Sequence, residues 1–472
     1  MDALNRFRKN GSKSGPLRVE PTEGSAVPIR HPLQQWRSKK TALLRRRPVV
    51  YFALVVFFLL YYYRPEDFIR PLAAVPLAKI AAIFGFVALL VGMFRDATLS
   101  VPKAIKILWL LLIQMMLSIP FAIWRGGAFS TVFDKFAKGV VVALIVSMAV
   151  VTIWELRRLL WIQVSAVALV TFFSIGLRHY NQEGRLSGIQ ESILSNPNDL
   201  AINIAISFPL CLAFMLKSRG VRRIIWGIGL AVMALGVVLT SSRSGLLALL
   251  LSIAISVWEY GIKGKRRQLV AVTALASVLG LGVALASSHY RARLESIFLG
   301  NVEGSGDKGS LAARRALLEK SLWVAVTHPV FGVGPGCFPI VDKSWHVAHN
   351  AYTEIAAEVG FPALILFLAS LWAAFENIAL IRKSEYYEHN SDFKLFTQAL
   401  WAGLVGYMAG SLFASTEYNL YPYFMIGYTC ALVRIVSVPL PEELKDDADA
   451  EPRGLRRLTP LGRRETIPAT TR

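Results

Sequence analysis

The chain has 472 residues, 54% of them apolar and 18% charged, with Lys+Arg 52 against Asp+Glu 31 and a net charge of +21. That apolar content excludes a disordered chain, and three cysteines exclude a disulfide scaffold. So strong a positive charge points to nucleic acid in a soluble protein, but here the basic residues stand between apolar blocks, and nucleic acid is not an expected partner.

Residues 1–48 come first, with twelve Lys/Arg and three Asp/Glu, ending in Arg45-Arg46-Arg47 directly before an apolar run. Such a segment reads as a disordered cytoplasmic tail that orients the first span. No small-residue cleavage site follows the run, so it is not a signal peptide. About twelve runs then have the length and apolarity of membrane helices. They lie near 49–63, 76–94, 105–124, 137–153, 158–176, 200–216, 223–240, 245–260, 268–287, 350–380, 397–415 and 419–438. The runs at 137–153 and 245–260 are the shortest. The alternating ten-residue pattern of a membrane β-barrel is absent. The expected fold is an all-α polytopic membrane protein of about twelve transmembrane helices. Its membrane domain covers 49–438, and a second disordered cytoplasmic tail covers 439–472.

Loop charge supports that topology. With the N-terminus inside, the inner loops carry Arg95/Lys103/Lys106, Arg157/Arg158, Lys217/Arg219/Arg222/Arg223, Lys263/Lys265/Arg266/Arg267 and Arg382/Lys383. All five are short and basic, as inner loops are. Three outer segments then hold arginines against the same rule. Segment 177–199 has Arg178 and Arg185, the tight turn Thr240-Ser241-Ser242-Arg243-Ser244-Gly245 has Arg243, and the long loop 288–349 has Arg291, Arg293, Arg314 and Arg315. Anion binding is the simplest reason to keep them there, because a guanidinium matches phosphate oxygens bidentately. Asn196-Pro197-Asn198-Asp199 reads as a turn and helix N-cap, and that role suffices.

The long loop has its own order. Residues 301–310 form a Gly/Ser linker. Residues 311–326 have helical periodicity, with Leu317, Leu318, Leu322 and Val324 to Val326 apolar, and are expected to form an amphipathic helix on the outer membrane surface. A glycine-rich turn over 328–338 suits close backbone approach but lacks the lysine and strand–loop–helix setting of a nucleotide loop. His349-Asn350 stand at the mouth of the tenth span. Within it, Glu354 and Glu358 share a helix face. A carboxylate in a span is a functional candidate by default, although Glu354 lies near the surface and Glu358 reads as the partner of an arginine. A metal site from His346 and His349 with Asp342 or His328 has loose spacing and no supporting cysteine. Cys211 and Cys430 read as packing residues, Cys337 faces outside without an obvious disulfide partner, and Tyr61 to Tyr63, Tyr418, Tyr421 and Tyr423 read as interfacial aromatics.

Stretch 314–366 resembles the O-antigen ligase/polymerase superfamily. The resemblance rests on His349-Asn350, nine residues, then Gly360. Arg314, Trp323, His328-Pro329 and Phe331-Gly332-Val333-Gly334-Pro335-Gly336 stand upstream in the family's order. Ser242-Arg243-Ser244-Gly245 resembles the family's arginine turn and Gly184-Arg185 its earlier loop arginine. Ala363, where a small or hydroxyl residue is usual, is a mild departure. The resemblance implies a glycosyltransferase of the bacterial inner membrane. It would move a polyprenyl-diphosphate-linked glycan onto a glycan, lipid or protein hydroxyl at the periplasmic face, where loop 288–349 would lie. The catalytic candidates are His349, as base or alternatively as a diphosphate contact, and Arg243 and Arg185 on the diphosphate, with Arg314, Asn350 and Glu354 binding substrate. Diphosphate is a good leaving group, so inverting displacement needs no metal and no cofactor, in keeping with the lack of a visible acidic cluster. Ligase, polymerase and protein-glycosylating branches all remain open. A transporter is the rival from another class, but the halves show no clear repeat and the arginines lie at the outer face rather than the midplane. A non-catalytic scaffold of a polysaccharide-assembly complex is the second.

Overall fold

A computed structural model describes residues 48–64, 77–95, 101–181, 184–188, 195–266, 268, 307–342 and 346–437. Residues 1–47 and 439–472 of the expected tails, residues 269–287 of the expected span 268–287, and Arg291 and Arg293 lie outside these residues. Among the described residues the chain is helical, with one isolated antiparallel bridge between Tyr180 and Leu186. The helices are α1 (Pro48–Tyr63), α2 (Leu77–Arg95), α3 (Lys103–Ser118), α4 (Arg125–Ser130), α5 (Ala137–Ala149), α6 (Ile153–Gly176), α7 (Pro197–Lys217), α8 (Val221–Thr240), α9 (Arg243–Ser256), α10 (Asp307–Thr327), α11 (Phe338–Asp342), α12 (Ala351–Val359), α13 (Phe361–Arg382), α14 (Glu385–His389), α15 (Ser391–Gly410) and α16 (Tyr421–Val436).

Among the described residues six helical stretches are long and apolar enough to cross a membrane: Lys103–Phe121, Ile153–Gly176, Pro197–Lys217, Val221–Thr240, Arg243–Ile262 and Phe361–Arg382. Pro48–Tyr63 and Leu77–Gly92 are apolar but shorter. The run at 245–260 is therefore span-length once its π-helical end is included, whereas α5 has only 13 residues. The expected span 350–380 is two helices. The chain breaks at Gly360, whose φ of 91° ends α12, and Pro362 stands in the first turn of α13. Nine residues of α-helix rise only about 14 Å, so α12 by itself is too short to span.

Outward-facing side chains on α2, α3 and α8 are apolar, among them Ile83, Phe84, Ile113, Leu117, Ile225 and Ile228, as lipid contact requires. Inside, α7, α9 and α15 pack mutually. A Cβ on Gly245 would stand 2.1 Å from that of Ala201, so glycine there lets α9 lie against α7. Polar contacts join other helices: Tyr428 donates to Gln163 at 2.8 Å, and Gln163 to Ser207 at 3.4 Å. Tyr61, Tyr62, Tyr421 and Tyr423 are buried, so these tyrosines are core residues rather than an interfacial belt. Cys211, Cys337 and Cys430 are all free and buried.

The loops read as inner ones meet at one end of the bundle. Asp392, at the start of α15, pairs with Lys217 from the end of α7 at 2.7 Å and with Arg157 from the start of α6 at 3.5 Å. Buried Glu259 pairs with Lys263 at 3.1 Å and with Arg382 from the end of α13 at 3.2 Å. Helices α6 to α9, α13 and α15 run between this end and the opposite one, where the candidate residues collect.

Candidate functional site

At that opposite end, two arginines flank one tight turn. Helix α8 ends at Thr240, Ser241 adopts a left-handed φ of 50°, and Ser242 caps α9 by accepting from the Gly245 N–H at 3.2 Å. Arg243 is the first residue of α9 and is half-buried. A cation at a helix N-terminus stands against the macrodipole, so both the residue and the helix end attract an anion. The loop bearing Arg185 closes onto the same turn. Leu186 N–H donates to Leu239 O at 3.0 Å, and Arg185 Nε to Thr240 O at 3.0 Å, satisfying carbonyls at the end of α8. Asn198, in the first turn of α7, joins the pieces: its Oδ1 accepts from Arg185 Nη2 and from Ser242 Oγ, each at 2.8 Å. Asn196 caps α7 as expected, but Asn198 does more than the capping segment requires.

His349-Asn350 open α12. Asn350 is the N-cap, accepting from Tyr352 and Thr353 N–H at 3.0 and 3.1 Å. His349 holds φ at 55°, a left-handed conformation uncommon outside glycine, though histidine adopts it more readily than most residues. Its N–H donates to Ser415 Oγ at 3.1 Å, and Ala351 N–H to Ser411 and Ala414 carbonyls at 3.0 and 3.1 Å. The loop between α15 and α16 therefore fixes this dipeptide. Burial pushes the His349 imidazole down to about 4, and the nearby positive charges of Arg314, His346 and Arg185 add to the fall. This corrects the expectation of an ordinary histidine near neutrality.

The fold thus brings His349, Arg185 and Arg314 close enough to feel one another's charge, and Arg185 to the Arg243 turn. Arg315, the next residue after Arg314, points away and pairs with Glu319 at 2.9 Å on an exposed face. Arg178 is exposed. Helix α10 runs through 307–327 and shows two apolar stripes. Leu317, Val324 and Ala325 are buried, with α12 the main neighbour, while Leu322, Trp323 and Val326 are 49%, 62% and 68% exposed.

Glu354, expected near the surface, is buried. Its carboxylate accepts from Ala348 N–H at 3.1 Å and from the Ser415 hydroxyl, so it braces both sides of His349. Glu358 pairs with no arginine among the described residues. It accepts instead from Gly336 N–H at 2.7 Å, Phe338 N–H at 3.0 Å and Tyr418 OH at 2.6 Å. The glycine-rich turn is therefore pressed on the end of α12. Val333 and Gly334 N–H donate to Ala357 and Glu358 carbonyls at 3.0 and 2.8 Å, and a Cβ on Gly332 would stand 2.2 Å from the Glu358 carbonyl carbon.

The acidic cluster not visible along the chain is made by folding. Glu417 joins Glu354 and Glu358, one oxygen of each lying within 4.8 Å of the others. Burial pushes all three carboxyls up, and their neighbours' charge adds to the rise at Glu354 and Glu417. The three line a cavity of about 1100 Å³ together with Ser415, Tyr418, Lys135, Lys138 and Trp124. Among the described residues the histidines form no such ligand group, and Asp342 is paired with Lys320 at 2.9 Å and His328 with Thr327 at 3.0 Å.

No curated protein matches the chain. Residues 228–368, from within α8 into α13, match the family model for O-antigen ligase, the superfamily that the arginine turn and the His-Asn motif resemble.

Proposed function

We infer that the protein transfers a polyprenyl-diphosphate-linked glycan onto an acceptor hydroxyl at the periplasmic face of the bacterial inner membrane. The observation that carries this reading is the grouping of Arg185, Asn198 and the Ser242-Arg243 turn, with Arg185 and Arg314 close enough to His349 to depress its imidazole. Cations collected around a neutral imidazole suit a substrate with a negatively charged leaving group and a hydroxyl nucleophile.

In the proposed reaction, Arg185, Arg243 and Arg314 hold the diphosphate and stabilise the charge that grows on it. His349 takes the proton from the acceptor hydroxyl. The oxygen forms a bond to the anomeric carbon from the face opposite the diphosphate, and the carbon–oxygen bond to the diphosphate breaks. The glycan leaves with inverted configuration, and the polyprenyl diphosphate keeps the electron pair. Histidine at about 4 is a weak base in the free protein. A bound diphosphate offsets the cations around it and raises its proton affinity, so the substrate itself readies the base. No metal is needed at the bond that transfers. Asn350 and Glu354, first taken as substrate contacts, act in this reading by holding His349.

The test is deletion of the gene followed by analysis of lipid-linked glycans. Single repeat units accumulating on the carrier indicate a polymerase, and long chains accumulating there a ligase to lipid or protein. An unchanged lipid-linked pool overturns glycosyl transfer and favours the transporter.

A further inference from the structure

Glu354, Glu358 and Glu417 are buried carboxylates from two separate elements, the first two from successive turns of α12 and the third from the loop between α15 and α16. Glu354 and Glu358 are met by protein donors. Among the described residues one Glu417 oxygen, Oε2, is buried without a hydrogen-bond partner, although the residue is only 1% exposed. The residue lines the same cavity as the other two, while its main-chain carbonyl accepts from the Tyr423 hydroxyl.

Three carboxylates this close do not persist as free anions out of water. They require protons or a cation. Oxygen donors alone suit a hard divalent ion, and opposite oxygens around calcium stand about 4.6–5.2 Å apart, against about 4.0–4.2 Å around magnesium. Carboxylate oxygens that all lie within 4.8 Å of one another come within reach of one such ion, and a cage of protein carboxylates suits calcium, which accepts irregular geometry, better than magnesium, which keeps most of its waters. Three carboxylate oxygens leave coordination positions for water, which the cavity can supply. Lys135 in the same wall, whose charge reaches Glu354 and Glu358, offsets the one negative charge that remains.

We propose that Glu354, Glu358 and Glu417 hold one divalent cation of calcium size that ties α12 to the loop between α15 and α16. The ion touches none of the arginines and no reacting bond. Through Glu354 it fixes the His349 backbone, and through Glu358 the glycine-rich turn, so it is a positioning ion. The proposal is independent of what the protein transfers.

The experiment uses the full chain in lipid nanodiscs, stripped with chelator and titrated with calcium chloride by calorimetry and by thermal unfolding. One saturable ion per chain and a raised unfolding midpoint are expected, with magnesium at least tenfold weaker. Glu417→Gln is expected to weaken binding at least tenfold and to erase the midpoint rise, while the chelated variant unfolds no earlier than the chelated parent. A parent midpoint indifferent to calcium overturns the proposal whatever the variants do. So does saturable binding that survives both Glu417→Gln and Glu354→Gln.

Discussion

Asn198 Oδ1 accepts from the Arg185 guanidinium at 2.8 Å and, at the same distance, from the hydroxyl that caps α9. One amide oxygen thus couples the loop arginine to the helix that begins with Arg243. A hydrogen bond to a charged group contributes about 1.5–3 kcal/mol. Asn198→Ala is therefore expected to lower glycan transfer by about 10- to 100-fold, with folding intact. Transfer from purified lipid-linked donor, beside an unfolding midpoint, checks both halves.

The pH profile follows from His349. The base acts only when neutral, and its fall to about 4 keeps it neutral at lower pH than an ordinary histidine. The acid limb of kcat/KM, which reports the free protein, is expected near 4 rather than about 6.5. The limb of kcat is expected higher, because bound diphosphate offsets the cations. Removing one cation by Arg314→Gln should move the kcat/KM limb upward. A limb unmoved by that change would count against the assignment.

Arg314 and Arg315 offer an internal comparison. Arg315 is 82% exposed and pairs only along its own helix face with Glu319, a contact of the kind that contributes about 0.3–0.5 kcal/mol. Arg315→Ala is expected to leave transfer within about twofold of the parent. Arg314→Ala is expected to reduce it by about 100-fold or more if its charge stabilises the leaving diphosphate.

Gly360 is the residue on which the junction of α12 and α13 depends. A Cβ there would stand 2.4 Å from Val330 O, at a φ of 91°. Gly360→Ala is expected to destabilise the protein by about 1–3 kcal/mol from backbone strain alone, and more if the glycine-rich turn is displaced. Denaturant or thermal unfolding measures it directly, and a stability equal to the parent would contradict the packing described.

Much of this organisation was legible in the chain, and what was not has physical causes. Apolar length marked the span-length helices, and basic loops marked the end joined by Asp392 and Glu259, because both signals are local. Arg185 and Arg243 stood out as arginines in segments that the loop-charge rule assigns to the outer side. The break at Gly360 was also written in Gly360-Phe361-Pro362, but the unbroken apolarity of 350–380 concealed it. Glu417 carried no local signal: it lies far along the chain from Glu354 and Glu358, and only the return of the loop after α15 brings it to them. Asn198 was hidden because the N-cap of α7 already explained its neighbourhood. Tyr418, like Tyr421 and Tyr423, had the composition of an interfacial belt, and its hydrogen bond to Glu358 depends on tertiary contact alone.

The outward stripe of α10 has a consequence for how the protein must be handled. Leu322, Trp323 and Val326 offer their apolar surface away from the bundle, on the helix that carries Arg314 toward His349. If the acyl chains of the surrounding leaflet cover that stripe, the lipid presses the helix down as a lid is pressed by a weight. Detergents that thin or loosen that layer would then loosen the end of the helix that carries Arg314, while its inner face stays packed on α12. Loss of turnover on extraction and its return on reconstitution would follow from lateral pressure rather than from denaturation.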